Sequence, residues 1–307
     1  MTLRYTLRQL EYFVAVGDEG SIVKASRKVN VSSPSISAAV TQLEEAFGLH
    51  LFVRKHAHGL TLTQSGQKLM IQARRVLHEA TTMNQLADEL SGNVQGQLNV
   101  GCLLTFAQLL APSLRREFET EYPLVQVSQT ELDQLAIFEQ LRSAQIDIAL
   151  TYDLDIPGDI AFIPLIELPP YALLSDTHPL AHLPSVSPVD LEKHAMVLLD
   201  LPHSAEYFLS LFDKSGVRPK IVERTKDMAV LRSLVANGFG YSIANIRPLN
   251  NAAPDGRTLR FLPLTGPARP MKLGLALVNE TANTSTVQAF VGHCRACIPN
   301  SPLFRAR

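Results

Sequence analysis

Between Gly20 and Arg54 the apolar positions follow two short helical rhythms with a break between them. Ile22, Ala25 and Val29 recur at three to four residues, the spacing of one helical face. Asn30 interrupts the pattern. Ser33 followed by Pro34 reads as an N-cap and a first helical residue. Ile36, Val40 and Leu43 then turn inward and leave Ser35, Ser37, Ala38, Thr41 and Gln42 on the outer face, with Gly48 placed for a left-handed cap. Two short helices at a steep angle, the second with a small polar outer face, predict a helix-turn-helix whose second helix can enter a major groove.

A second, longer rhythm runs from about Gln64 to Leu90. Leu69, Ala73, Val76, Ala80, Met83, Ala87 and Leu90 are spaced alternately by four and three, a heptad seam. A stripe this narrow favours pairing with another chain over packing on the helix's own domain, where the apolar face is usually wider. Ser91, Gly92, Asn93 and Gly96 then break the helix.

Beyond this hinge the period alternates between strand and helix. Leu98–Cys102, Val125–Thr130, Ile146–Leu150, Tyr171–Leu174, Met196–Leu199, Tyr241–Ala244 and Lys272–Val278 read as strands. Phe106–Glu121, Asp133–Ser143, Ala205–Ser215, Met228–Asn237 and Thr284–Cys297 read as helices. Such alternation predicts an α/β body dominated by parallel strands. Pro-rich stretches at Pro157–Pro170 and Arg260–Pro270 are expected to cross between two lobes flanking a cleft, as in periplasmic binding proteins.

The segments VSSPSIS, LEEAFGLHLFVR and LTLTQSG resemble, in that order, the head of a LysR-type transcriptional regulator, and the layout matches such a protein end to end. The resemblance implies a winged helix-turn-helix over residues 1–63, with the wing at Leu51–Leu62. It further implies a linker helix over 64–91 that opens at Leu62-Thr63-Gln64-Ser65-Gly66, and an effector-binding domain over 92–307. Lobe I is expected at about 92–162 and 268–307, and lobe II at about 163–267. The implied partners are double-stranded DNA carrying an interrupted inverted repeat and a small-molecule effector, with RNA polymerase a further candidate. The implied assembly is a homotetramer of two linker-helix dimers, with effector closure changing the DNA bend. The chain departs from many relatives in having Ser33 in place of Gln, and Ala38 in place of a long polar or basic residue.

Charge supports this division. The net charge is only −1, but residues 1–78 hold ten Lys and Arg against five Asp and Glu, while 79–307 hold eighteen against twenty-four. A basic head on an acidic body is the electrostatic footprint of a DNA-binding module fused to something else. With 307 residues, 46% of them hydrophobic, the chain has room for two or three cores. No signal peptide or membrane span is visible, and three cysteines without a disulfide framework suit a reducing interior, so the expected location is the cytoplasm.

On the head, Ser33 and Ser35 start the second helix, where backbone amides favour a phosphate. Arg27 ends the preceding helix, and Arg54 and Lys55 sit on the wing beside His56 and His58. With Ser37, Thr41 and Gln42 these are the expected DNA contacts. In the body, ligands of two-lobed α/β folds sit beyond the carboxyl ends of strands. That points to Leu103, Leu104 and Thr105 on one turn and to His203 and Ser204 on another, with Tyr152 and Phe239 as walls. Thr105 and Ser204 are expected to cap their helices and offer donors to an anionic or polar organic effector.

Cys294 and Cys297 form a C-x-x-C on a helical pattern rather than after a strand, and adding His293 still leaves a zinc site one ligand short. Small buried residues are the expectation there, with no metal site or cofactor. No Gly-rich phosphate loop, H-E-x-x-H or G-x-S-x-G occurs, so no catalytic residue is expected. An enzyme on a binding-protein-like body and a transport-type binding protein are the rival classes. The first leaves the basic head unexplained, and the missing signal peptide counts against the second.

Overall fold

The computed structural model describes residues 3–55, 59–89, 94–213, 215–266, 268–278 and 284–305. The chain divides into two compact units, residues 1–93 with 140–145 and residues 94–139 with 146–307.

The first unit opens with α1 (Leu7–Glu19), which the sequence pattern from Gly20 onward did not include. Thr6 and Gln9 start it with reciprocal capping bonds, and Gly20, at φ 60°, ends it. Next come α2 (Ile22–Lys28), a turn through Asn30 at φ 53°, and α3 (Ser33–Phe47), closed by Gly48 at φ 66°. The cap of α3 is Ser32 rather than Ser33: its hydroxyl accepts from the Ser35 amide, and Ser33 is already helical. With the cap one residue earlier, Pro34 falls in the first turn, where its missing N–H costs no bond.

A two-stranded wing follows, β1 (Phe52–Lys55) antiparallel to β2 (Gly59–Leu62). The long helix α4 spans Gln64–Glu89. Thr63 joins wing to helix, its hydroxyl accepting from the Gly66 amide at 2.9 Å and donating to the His50 carbonyl at 2.8 Å. A Cβ on Gly66 would lie 2.2 Å from the Leu51 carbonyl oxygen, so the L-T-Q-S-G sequence needs its glycine for close approach.

Two core clusters hold this unit. Tyr12, Val16, Ala25, Ile36 and Val40 pack α1, α2 and α3 together, and Leu10, Phe13, Leu43, Leu51, Met70 and Ala73 bring α4 onto them. The expected seam is therefore shared: Ala73 and Leu69 serve the head's own core, whereas Val76 and Met83 are 39% and 70% exposed. Leu90 and the hinge at 91–93 lie outside the described residues, as does the side chain of Ala87.

The second unit begins with β3 (Gly96–Leu103), α5 (Leu104–Leu109), α6 (Ala111–Glu121), β4 (Val125–Leu132), α7 (Gln134–Arg142) and β5 (Ile148–Tyr152). The single helix expected over Phe106–Glu121 is broken at Leu110, ahead of Pro112, which has no N–H to continue a ladder. β6 (Ala161–Leu168) and β7 (Tyr171–Ser175) flank the first crossing. Then follow α8 (Pro188–Leu191), β8 (Ala195–Leu199), α9 (Ser204–Asp213), β9 (Lys220–Thr225), α10 (Met228–Ala236), β10 (Ser242–Ala244) and β11 (Leu259–Pro263). The chain ends with β12 (Met271–Leu277), α11 (Ser285–Cys297) and α12 (Pro302–Arg305).

The sheet of the first lobe has the order β4-β3-β5-β12-β6. β3 is parallel to β4 and β5, but β12 runs antiparallel to β5 and β6. In the second lobe β8 and β9 are parallel, a Met196–Tyr241 bridge joins them to the β10 segment, and β7 is antiparallel to β10 and β11. The sheets are thus mixed, because the returning strands arrive from the other lobe rather than over a helix on the same one.

Two boundaries move. β6 stays paired with β12 through Leu168, past the expected lobe limit near 162, and the segment 260–263 belongs to β11 of the second lobe. The strand β9 was not expected: its exposed charges mask the alternation.

Candidate nucleic-acid interface and ligand cleft

The outer face of α3 carries Pro34, Ser35, Ala38, Thr41, Gln42 and Glu45, all exposed and at helical spacing, while Ile36, Ala39, Val40 and Leu43 are buried beneath. Ser35 and Ser32 share a 2.8 Å hydroxyl contact at the helix start, where the first turn holds no acidic residue. Ser33 is half-buried and donates to Ser26 Oγ at 3.1 Å, which ties α3 to α2. Ser37 is also half-buried, and Arg27 is exposed on α2. Gln42 Oε1 accepts from Gln9 Nε2 at 2.9 Å, so α1 orients this side chain. The backbones of Arg54 and Lys55 pair with Leu60 and Gly59 in the wing; their side chains, and the whole of His56 and His58, lie outside the described residues.

The wing is fixed to α3 by Glu44, which the sequence pattern did not single out. Its Oε1 accepts from the amides of Leu51 at 2.6 Å and Phe52 at 3.3 Å. An acid one position past the apolar Leu43 reads as a solvated end residue, and only the return of the chain at Leu51 gives it partners.

In the second unit a cavity of about 240 Å³ lies between the two sheets. Leu103, Leu104, Thr105, Tyr152 and Ser204 line it, and His203 and Phe239 do not. The His203 ring turns aside to Asp155, with Nδ1 2.6 Å from Oδ2, on backbone held at φ 60°. Phe239 is 57% exposed and borders a shallow dip with Pro254 and Val230. Thr105 is no cap: β3 runs on to Leu103, α5 starts at Leu104, and the threonine is 8% exposed inside the first helical turn. Ser204 is the first residue of α9, and Tyr152 ends β5 with its ring 4.7 Å from that of Phe106.

Two buried amides complete the wall. Gln134 accepts from Thr151 Oγ1 at 2.5 Å and donates to the Tyr152 and Leu154 carbonyls. Asn245 Nδ2 donates to the Leu168 carbonyl at 2.8 Å and to Tyr207 Oη at 2.9 Å, and Tyr207 in turn donates to the Arg269 carbonyl. Asn245 and Tyr207 thereby pin both crossings between the lobes. Burial pushes the Tyr207 phenol up to about 12, so it stays a neutral donor. Lys226, Glu131 and Asp133 also line the cavity, though Asp133 is engaged with the Ala136 amide. An asparagine inside the apolar run SIANI was the signal for this wall; Gln134 had none, because a polar residue at a helix start is ordinary.

Residues 7–67 match the model of the bacterial regulatory helix-turn-helix protein, lysR family, and residues 91–297 match the LysR substrate binding domain. The chain belongs to the LysR family of transcriptional regulators. It is 35% identical to HinK, a LysR family transcriptional regulator from Pseudomonas aeruginosa, with 95% of this chain and 98% of that one covered and a TM-score of 0.64. It is 28% identical over 294 residues to the transcriptional activator protein LysR of Escherichia coli strain K12, covering 95% of this chain and 93% of that protein. The fold is shared with full-length CbnR complexed with its target DNA, at 23% identity and a TM-score of 0.67 over 95% and 99% of the two chains. The LysR proteins it matches are regulators rather than enzymes, which answers the rival class raised by the binding-protein-like body.

Among the described residues no helix is long and apolar enough to cross a membrane. Cys102 and Cys294 are buried, and burial pushes both thiols far up.

Proposed function

We propose that this LysR-family regulator acts in the cytoplasm as a linker-helix dimer, assembled into a homotetramer, that binds an interrupted inverted repeat and responds to a small organic acid in the cavity between its lobes. RNA polymerase is the further partner in this reading. The observation that carries it is the cavity itself, of about 240 Å³, lined from both lobes by apolar side chains and by the buried Thr105, Gln134 and Asn245. A space of that size suits a metabolite, held by an apolar body and a few oriented polar groups. Ser204 at the start of the ten-residue α9 and the Lys226 ammonium, both on the lining, support an anionic head group. For the DNA contacts, the exposed stripe Ser35, Thr41 and Gln42, with Arg27 and the wing residues Arg54 and Lys55, supports a recognition helix read in a major groove.

A panel of small carboxylic acids and neutral analogues, screened by thermal shift on the full-length protein, tests this reading. The strongest binder should bind Thr105→Val or Ser204→Ala about 10- to 100-fold more weakly, the loss expected for one hydrogen bond to a charged group, with basal DNA binding kept. A screen in which no acid raises the melting temperature, or variants that bind the hit unchanged, would move the effector elsewhere.

A further inference from the structure

Helices α6 and α11 each present metal-ligating side chains four residues apart: Glu117 and Glu121 on one, His293 and Cys297 on the other. Residues at that spacing share a helical face, which brings Glu117, His293 and Cys297 mutually within 4.8 Å and sets Glu121 against the imidazole. His293 Nδ1 stands 3.0 Å from Glu121 Oε2 and 3.8 Å from Cys297 Sγ. A Glu117 carboxylate oxygen lies within 4.8 Å of both the imidazole and the sulfur. We propose that Glu117, Glu121, His293 and Cys297 form a zinc-binding site within the C-terminal unit.

The other ring nitrogen strengthens the assignment. His293 Nε2 lies 3.1 Å from the Leu114 carbonyl, which can only accept, so that nitrogen is the one to keep a proton when the other binds an ion. An ion seated between Nδ1, the Glu121 carboxylate and the Cys297 sulfur would take the Nδ1 lone pair in place of the proton that otherwise bridges Nδ1 and Glu121. A backbone carbonyl holding the far nitrogen is also how metal-binding histidines are oriented. Imidazole, thiolate and carboxylate are ligands of zinc, whereas magnesium and calcium prefer oxygen alone.

The distances suit a small tetrahedral ion. Two ligands of such a zinc stand about 3.3–3.7 Å apart, given its bond lengths. The His293–Cys297 separation of 3.8 Å is already close to that, the His293–Glu121 separation of 3.0 Å is a little short of it, and the exposed carboxylates of Glu117 and Glu121 are the two that have to adjust. Glu117 and Cys297 also border a cavity of about 490 Å³ walled by Leu110, Leu249 and Pro302, which opens an approach for the ion. The C-x-x-C thus divides: Cys294 is buried away, and the partner of Cys297 is the histidine one turn back.

The test is a titration of untagged, EDTA-stripped full-length protein with Co²⁺, a spectroscopic substitute for zinc. One ion per chain should bind with tetrahedral visible bands and a thiolate-to-metal charge-transfer band, and added Zn²⁺ should remove both. Cys297→Ser should abolish the charge-transfer band and weaken zinc binding by at least about 100-fold, beyond what changes outside the ligand shell produce. Glu117→Gln, at an exposed position, should weaken it about 10-fold, and Cys294→Ala should leave the spectrum unchanged. Absence of the band in the native protein, or its survival in Cys297→Ser, overturns the site, and the His293–Glu121 contact is then a protonated imidazole held by a carboxylate. Should Cys297→Ser fail to fold by circular dichroism, unchanged zinc affinity in Glu117→Gln overturns it equally.

Discussion

Replacing Glu44 by alanine should free the wing from the recognition helix without unfolding the head. The carboxylate of Glu44 holds the Leu51 amide at 2.6 Å and the Phe52 amide at 3.3 Å, and Leu51 is fully buried. A bond to a charged acceptor contributes about 1.5–3 kcal/mol, and a buried amide left without an acceptor loses about as much as that bond supplied. The Phe52 contact is long and adds little, so the shorter bond sets the scale at about 2–3 kcal/mol. A hairpin of four residue pairs is marginal by itself, so the wing depends on its anchors to the head, and the bonds Leu60 N–H to Gly20 and Thr63 N–H to Leu51 keep it attached when this one is lost. Hydrogen exchange followed by mass spectrometry reads local opening directly. Peptides covering residues 49–55 should exchange about 30- to 150-fold faster, one factor of ten for each 1.4 kcal/mol, while α1 peptides keep their protection. Glu44→Gln, which keeps an acceptor oxygen, should fall between the two. Unchanged exchange at Leu51 in a folded Glu44→Ala protein would refute the idea that this carboxylate anchors the wing.

Arg54→Ala should weaken specific and non-specific DNA binding alike and lower the slope of log affinity against log salt by about 1, as loss of one phosphate contact does; an unchanged slope removes Arg54 from the interface. Met83→Asp should disrupt the dimer and DNA binding while circular dichroism of the body stays native, because Met83 is 70% exposed in the single chain and a charge there costs nothing until a partner covers it. Light scattering that still reports the native oligomer for Met83→Asp would end the seam.

Some of this protein was written in the sequence alone. The helix-turn-helix, the long linker helix and the strand–helix alternation of the body all follow from spacing between neighbours a few residues apart. So do the stops at Asn30 and Gly48, where the backbone turns left-handed. The wing came with the family resemblance. The family resemblance is legible for the same reason, since its motifs are short and contiguous. Other features depended on residues far apart in the chain. Ala73 looks like a seam residue until Phe13 and Leu43 bury it, and Glu44 looks solvated until Leu51 returns to it.

The cleft shows the same division. Thr105 and Ser204 were found because turns at strand ends are recognisable locally, but Thr105 proved to be buried in a helix rather than capping one. Gln134 and Lys226 joined them only through folding, and Asn245 had only its place in the apolar run SIANI to mark it. His203 left the lining because Asp155, forty-eight residues away, captured its ring. Periodicity reports which face of an element is apolar, because burial repeats with the element's own turn or pleat. It carries no information about which distant face arrives opposite, and that choice is made by the packing of the whole domain.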